Sequence, residues 1–343
     1  MLPVLHSTGW YQQAMTWLCV APDSPALFSH LCGLGPADCR RGLTPRLYDF
    51  TAAFPMNTNS QGYHLQTDSH GLQKLVVQSD IVSGEVYLHG AHVSAWKPAG
   101  HDPVLWMSRA SWFEDARPIR GGVPICFPWF GPHPTDSSQP AHGLARTRQW
   151  TLTNVRRCDD GAIEVRLQTS VDPFLLSYRV LFGADLILTL TTKLPPTAAA
   201  PQPFEDALHT YFHVAEIQQI AISGLEGVRY VDRVPQVEER EAAGAVIRFG
   251  QETDRIYRNS VETAVLHDPG LNRKITVGKS GSRSTVVWNP WIDKSRRMPD
   301  FGDDEWTGMV CIETANVGSD AIMLQPGQSH TTQAMISVSH GSD

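Results

Sequence analysis

The stretch "LSYRVLFGADLILTLTTKL", residues 176–194, decides the fold class. It holds two β-like runs, rich in Leu, Val, Ile, Tyr, Phe and Thr, with the turn residues Phe-Gly-Ala-Asp between them. From about residue 60 onward similar short runs recur: "LQKLVVQ", "GEVYLHG", "AHVSAWKP" and "AIEVRLQT" before it, "RKITVGK", "STVVWNPW" and "GMVCIETANV" after it. Turn residues divide them, as in "PPT", "DPG", "KSGS" and "QPGQ". Short strands at this spacing predict an all-β chain, a single large antiparallel β-sandwich. The strand–helix alternation of a parallel α/β protein is missing, and no clean repeat or low-complexity tract interrupts the pattern.

The bulk numbers narrow the function classes. A formal net charge of −7 over 343 residues argues against a nucleic-acid binder, which would show a basic surface. No apolar run approaches the roughly 20 residues of a membrane span, so no membrane partner is expected. The six cysteines form no CxxC pair and no zinc-like spacing with histidine, so no metal site is expected. With no secretion signal they read as reduced thiols in a cytoplasmic protein. Residues 1–55 differ from the rest, with scattered Pro, Gly and Cys and no sustained periodicity. They are read as an N-terminal extension or gene-start artefact, ahead of a β-sandwich domain at residues 56–343.

Four clusters break the ordinary strand pattern. "RPIRGGVPICFPWFGPH", residues 117–133, sets Arg120 before two glycines and a run of prolines and aromatics. Paired glycines permit close backbone approach, and Arg beside aromatics can make a pocket with one cationic end; a Pro-rich surface loop fits the composition equally. "AHGLARTRQW", residues 141–150, offers His142, Arg146 and Arg148. Guanidinium groups grip phosphate or carboxylate bidentately, although an isolated RTR also suits a solvated turn. "EDALHTYFHV", residues 205–214, reads as one strand on which His209, Tyr211 and His213 share a face. In "GMVCIETANV", residues 308–317, alternation puts Met309, Cys311 and Glu313 on one side and Val310, Ile312 and Thr314 on the other. A carboxylate on a strand this apolar is costly to bury unless it is bonded or used; at a strand end it could instead reach water. The two Trp of "TVVWNPW" could wall a sugar site or pack a core. Together, a His, a Glu, several Arg and aromatics suit a phosphorylated, polyhydroxylated substrate.

The ordered set "PIRGGVPICFPWFG", "AHGLAR", "HTYFHV", "QETDRIY", "VVWNPWIDKS" and "CIETANV" resembles the hexose-6-phosphate mutarotases (glucose-6-phosphate 1-epimerases) of the wider aldose 1-epimerase group. The resemblance implies a galactose mutarotase-like β-sandwich with its active site on a concave face. It implies interconversion of the α and β anomers of a hexose 6-phosphate without metal or organic cofactor. It places the catalytic pair on His209 and Glu313, and substrate contacts on Arg120, His142, Arg146 and Asp232. Ala141 stands where some relatives carry a substrate-contacting Gln.

Ring opening removes a proton from the C1 hydroxyl and delivers one to the ring oxygen. Glu313 is assigned as base on O1 and protonated His209 as acid on O5, with Arg120 and Arg146 for the phosphate and Arg148 a weaker candidate. His213 is expected to be dispensable, and the protein to act as a monomer. Two competing readings are a glycosidase-like enzyme, which needs a second carboxylate roughly 5–10 Å from the first, and a non-catalytic phosphosugar-binding regulator on the same fold.

Overall fold

In the computed structural model, residues 62–234, 237–241 and 244–341 are described. The predicted extension at residues 1–55 lies outside them. The strands Phe174–Phe182 and Leu186–Lys193 form the hairpin read from the sequence, pairing from Phe182 opposite Leu186 to Leu175 opposite Lys193. Their inward residues Leu176, Tyr178, Val180, Phe182, Leu186, Leu188 and Leu190 are all buried. This is the period-2 burial of an antiparallel strand with one face on a core.

The hairpin sits in an eight-stranded antiparallel sheet with the order Ala221–Ser223, Ala264–Asp268, Arg273–Ser280, Ser329–His340, Leu186–Lys193, Phe174–Phe182, Ile163–Val171 and Thr151–Arg157. A second eight-stranded sheet runs Glu238–Glu241, Arg229–Asp232, Thr253–Tyr257, Ser284–Asn289, Met309–Asn316, Asp206–Leu208 and Ile125–Cys126, with Tyr211–His213 also paired to Met309–Asn316. Apolar residues of both sheets, among them Leu188, Val180 and Ile336 from one and Val287, Val310 and Ile312 from the other, share one buried cluster. A four-stranded sheet, Tyr63–Thr67 to Val93–Pro98, joins that core through Leu75, Val77, Val86 and Trp96. The fold is the all-β antiparallel architecture that the strand pattern predicts. Among the described residues no helix is long and apolar enough to cross a membrane.

The second sheet is buried on both sides at its centre. Every residue of Met309–Asn316 and of Ser284–Asn289 is buried. Val310, Ile312 and Val287 face the common core, whereas Met309, Cys311 and Trp288 form a separate cluster on the other face with Trp106, Tyr211 and Phe301. The functional residues stand on this outer face.

The segment 205–214 is not one strand. It divides into Asp206–Leu208 and Tyr211–His213, with His209 and Thr210 outside the ladder. The cause lies next to it. Ala207 pairs with Cys126 and Leu208 with Ile125, so the register brings Pro124 opposite His209. The His209 amide donates to the Pro124 carbonyl at 3.0 Å, but proline has no N–H to return. Two residues on, the Tyr211 amide donates to Gly122 O at 2.9 Å. Gly122 is at φ 55°, and a Cβ there would lie 2.2 Å from Val93 O, so the second glycine of the RGG motif is a steric requirement.

Candidate active site

On its other side the broken strand keeps one register against Met309–Asn316. Leu208 lies opposite Thr314 and Tyr211 opposite Cys311, which sets His209 opposite Glu313. Directly opposed residues of an antiparallel pair share a face and have neighbouring Cβ atoms. The result is a contact of 3.4 Å between His209 Nε2 and Glu313 Oε1. Tyr211 stacks on the His209 ring at 4.8 Å and 10°, and Trp288 meets it edge-on at 6.0 Å. His142 closes another side, 5.6 Å away and steeply inclined.

This pair forms part of the wall of a cavity of about 310 Å³, a size suited to one small ligand. Arg120, His142, Arg146, His209 and Glu313 all line it, as do Phe130, Trp288, Arg233, Asp254 and Lys294. Five of the six residues singled out from the sequence therefore converge on one cavity. His142 takes a left-handed backbone, φ 63°, and Gly143 follows at φ 75°, where a Cβ would meet Phe127 O at 2.0 Å. The two motifs dock there: Leu144 N donates to Phe127 O and His142 N to Gly131 O, both at 2.7 Å.

Asp232 is the exception. Asp232 pairs with Arg255, and Trp288 pairs with Asp254. With period-2 alternation, Asp232 shares the face of Arg255, Tyr230 and Tyr257, opposite to that of Asp254. Its carboxylate lies 3.7 Å from both Arg240 and Arg255, away from the cavity lining. The carboxylate in the cavity is Asp254, 3.8 Å from Arg233 and from Lys294. Asp254, Arg233 and Lys294 were not singled out. Alternation within "TDRIY" could have found Asp254, the polar residue sharing parity with Ile256. Arg148 is exposed and does not line the cavity. Of the two Trp, Trp288 lines the cavity while Trp291 packs on Trp306.

The arginines differ in freedom. Arg120 is committed on three nitrogens: Nε and Nη2 to Asp300, and Nη1 to the Tyr211 hydroxyl at 2.9 Å. Arg146 donates from Nη2 to Ala141 O at 2.6 Å, and its Nε has no partner among the described residues. Both oxygens of Glu313 are likewise without a hydrogen-bond partner among the described residues. Burial pushes the Glu313 carboxyl well above the usual carboxylate range, and Asp254 adds to the effect. Burial, then the charges of Arg120 and Arg146, push His209 well below its ordinary value. Both shifts favour the neutral forms, a protonated Glu313 beside an uncharged His209. These directions run against a resting imidazolium at His209, the form assigned from the sequence. The sequence does not disclose that His209 is only 6% exposed and that two guanidiniums stand beside it.

A buried imidazole and carboxylic acid sharing one proton can accept and return protons at two adjacent oxygens. Residues 73–337 match the family described as Aldose 1-epimerase. The chain belongs to the aldose 1-epimerase family. A protein of Escherichia coli (strain K12) named "Putative glucose-6-phosphate 1-epimerase" is 35% identical over 274 residues, covering 77% of this chain and 90% of its own. One of Cenchrus ciliaris with the same name is 32% identical over 274 residues, covering 75% and 82%. The crystal structure titled as a putative mutarotase from Salmonella typhimurium superposes with a TM-score of 0.75 at 30% identity, covering 81% of this chain and 94% of that one. Within the aldose 1-epimerase family the ligand class is a carbohydrate, and the aromatic and carboxylate lining of this cavity fits one.

Proposed function

We propose that this aldose 1-epimerase family member is a hexose-6-phosphate mutarotase, interconverting the α and β anomers of an aldohexose 6-phosphate such as glucose 6-phosphate. The observation that carries the reading is the His209–Glu313 pair, 3.4 Å apart in a cavity that also holds Arg146. In ring opening the O1–H proton passes to one member of the pair as the C1–O5 bond breaks, and O5 takes a proton from the other. C1 becomes an aldehyde, rotates about C1–C2, and recloses with the roles exchanged. The proton count is unchanged over the cycle, so one proton on the pair suffices. Each member should supply roughly 10²–10⁴-fold.

Phosphate gives the substrate a lever on this proton. Arg120 and Arg146 hold it off His209. A phosphate dianion at Arg146, whose Nε is free to donate, offsets part of that charge. The proton then moves toward His209, leaving Glu313 as carboxylate base on O1 and His209 as imidazolium acid on O5. Arg120, tied by Asp300 and Tyr211, supplies fixed positive charge, while Asp254 and His142 face the sugar hydroxyls.

Arg146→Ala tests the phosphate assignment. KM for glucose 6-phosphate should rise far more than KM for glucose. Equal changes for both sugars would remove Arg146 as the phosphate reader. The glycosidase reading would be supported instead by release of reducing sugar from a glycoside, and the regulator reading by sugar-phosphate binding without faster anomer exchange.

A further inference from the structure

Cys311 is a buried thiol beside the acid–base pair that the proton transfers do not use. It sits two residues before Glu313 on the same strand and the same face, opposite Tyr211. The structure assigns His209, Cys311 and Glu313 to a site for a zinc-class divalent cation, occupancy of which ties up the acid–base pair and stops anomer exchange. The inhibitory half rests on the proposed roles of His209 and Glu313; the cation site does not.

One nitrogen, one sulfur and one carboxylate oxygen from these residues all lie within 4.8 Å of one another. Tetrahedral zinc with Zn–N near 2.0–2.1 Å and Zn–O near 2.0–2.2 Å sets its N and O ligands about 3.4 Å apart. The observed His209 Nε2–Glu313 Oε1 separation is 3.4 Å, so this half of the chelate is already set. A sulfur at about 2.3 Å from zinc needs roughly 3.6 Å to each of the other ligands, an approach of about 1.2 Å at most from the 4.8 Å limit. Thiolate, imidazole and carboxylate are a zinc donor set, and two of the three residues, His209 and Glu313, line the cavity. The ligands are fixed in advance: Cys311 is 0% and Glu313 1% exposed, and neither carboxylate oxygen has a hydrogen-bond partner among the described residues.

The charge balance closes. Zn²⁺ enters, the Cys311 thiol proton and the Glu313 carboxyl proton leave to solvent, and neutral His209 donates its Nε2 lone pair. Two protons are exchanged for one dication, so the buried site gains no net charge beside Arg120 and Arg146.

The full chain should be titrated with Zn²⁺ by calorimetry and with Co²⁺ by absorption spectroscopy, in chelator-free buffer. Cys311→Ser, which keeps the acid–base pair, is the variant. The expected results are a thiolate-to-cobalt charge-transfer band, inhibition by Zn²⁺ that glucose 6-phosphate relieves, and in Cys311→Ser loss of the band with affinity down at least about 10-fold. Cys311→Ser should keep its metal-free anomer exchange. No thiolate band on the wild-type chain, which needs no variant to fold, would overturn the site. Equal Zn²⁺ affinity in Cys311→Ser would overturn it as well. A thiolate band that Cys311→Ser abolishes, with undiminished anomer exchange at saturating Zn²⁺, would overturn the inhibition and the roles given to His209 and Glu313.

Discussion

His209 owes its position to its neighbours more than to its own strand. Tyr211 stacks beneath the ring, His142 and Trp288 meet it edge-on, and Glu313 lies across the ladder. Removing either member of the pair deletes a proton carrier without cutting a hydrogen bond that holds the fold. His209→Ala and Glu313→Gln should each lower anomer exchange by roughly 10²–10⁴-fold while circular dichroism stays native. Near-wild-type exchange in either variant would end its assigned role. His213 shares the parity of His209 but lies opposite Met309 and outside the cavity lining, and its carbonyl accepts from Arg273 Nη2 at 2.6 Å. A side-chain change leaves that carbonyl in place, so His213→Ala should exchange anomers at the wild-type rate. A loss comparable to His209→Ala would show that the face, and not the opposite-strand partner, selects the histidine. Alternation placed both histidines on one face and the family resemblance chose His209; the register supplies the physical reason, setting His209 and not His213 opposite Glu313. Asp232 shows the same limit from the other side. Its motif was visible, but its face depends on pairing with Arg255, which spacing along the chain does not reveal.

At the scale of elements, the site is a seam between the Met309–Asn316 strand, a strand interrupted at His209 opposite Pro124, and two loops locked by left-handed residues. The alternation of Met309, Cys311 and Glu313 against Val310, Ile312 and Thr314 was legible and holds. The interruption at His209 was not, because its cause, a proline, lies more than eighty residues upstream. Under the RGG loop, His92 is fully buried, and a Cβ on Gly122 would stand 2.7 Å from its Nε2. Burial, with help from His89 and Arg146, pushes His92 down to about 3. Its folded value is thus below the ordinary 6.5, so the fold binds fewer protons than the unfolded chain between those pH values. Its contribution to stability is complete above about pH 6.5 and is lost as pH falls toward 3. Between pH 7 and pH 5 this one group should cost roughly 2 kcal/mol. Urea unfolding at both pH values checks it: the drop in stability on acidification should be smaller by about that amount in His92→Gln. An identical drop in both proteins would mean that His92 protonates within the fold.

For the molecule as a whole, the hairpin at 176–194 and the turn-divided runs around it were enough to predict an antiparallel all-β chain. What they could not supply is which sheet face is closed by the common core and which carries a cavity, since the central strands of the site sheet are buried on both sides. The family match begins at residue 73 and the first described strand at Tyr63. We therefore expect a chain lacking residues 1–55 to keep its far-UV spectrum and its anomer exchange; loss of either would make that segment part of the working domain. The central claim, proton transfer by the opposed pair, is tested most directly by exchange NMR between the α and β H1 resonances of glucose 6-phosphate. The measurement compares buffer, the wild-type chain and His209→Ala at equal protein concentration. The expected result is exchange well above the buffer rate with the wild-type chain, falling by roughly 10²–10⁴-fold in the variant. Exchange no faster than buffer with the wild-type chain, or an equal rate in His209→Ala, would contradict it.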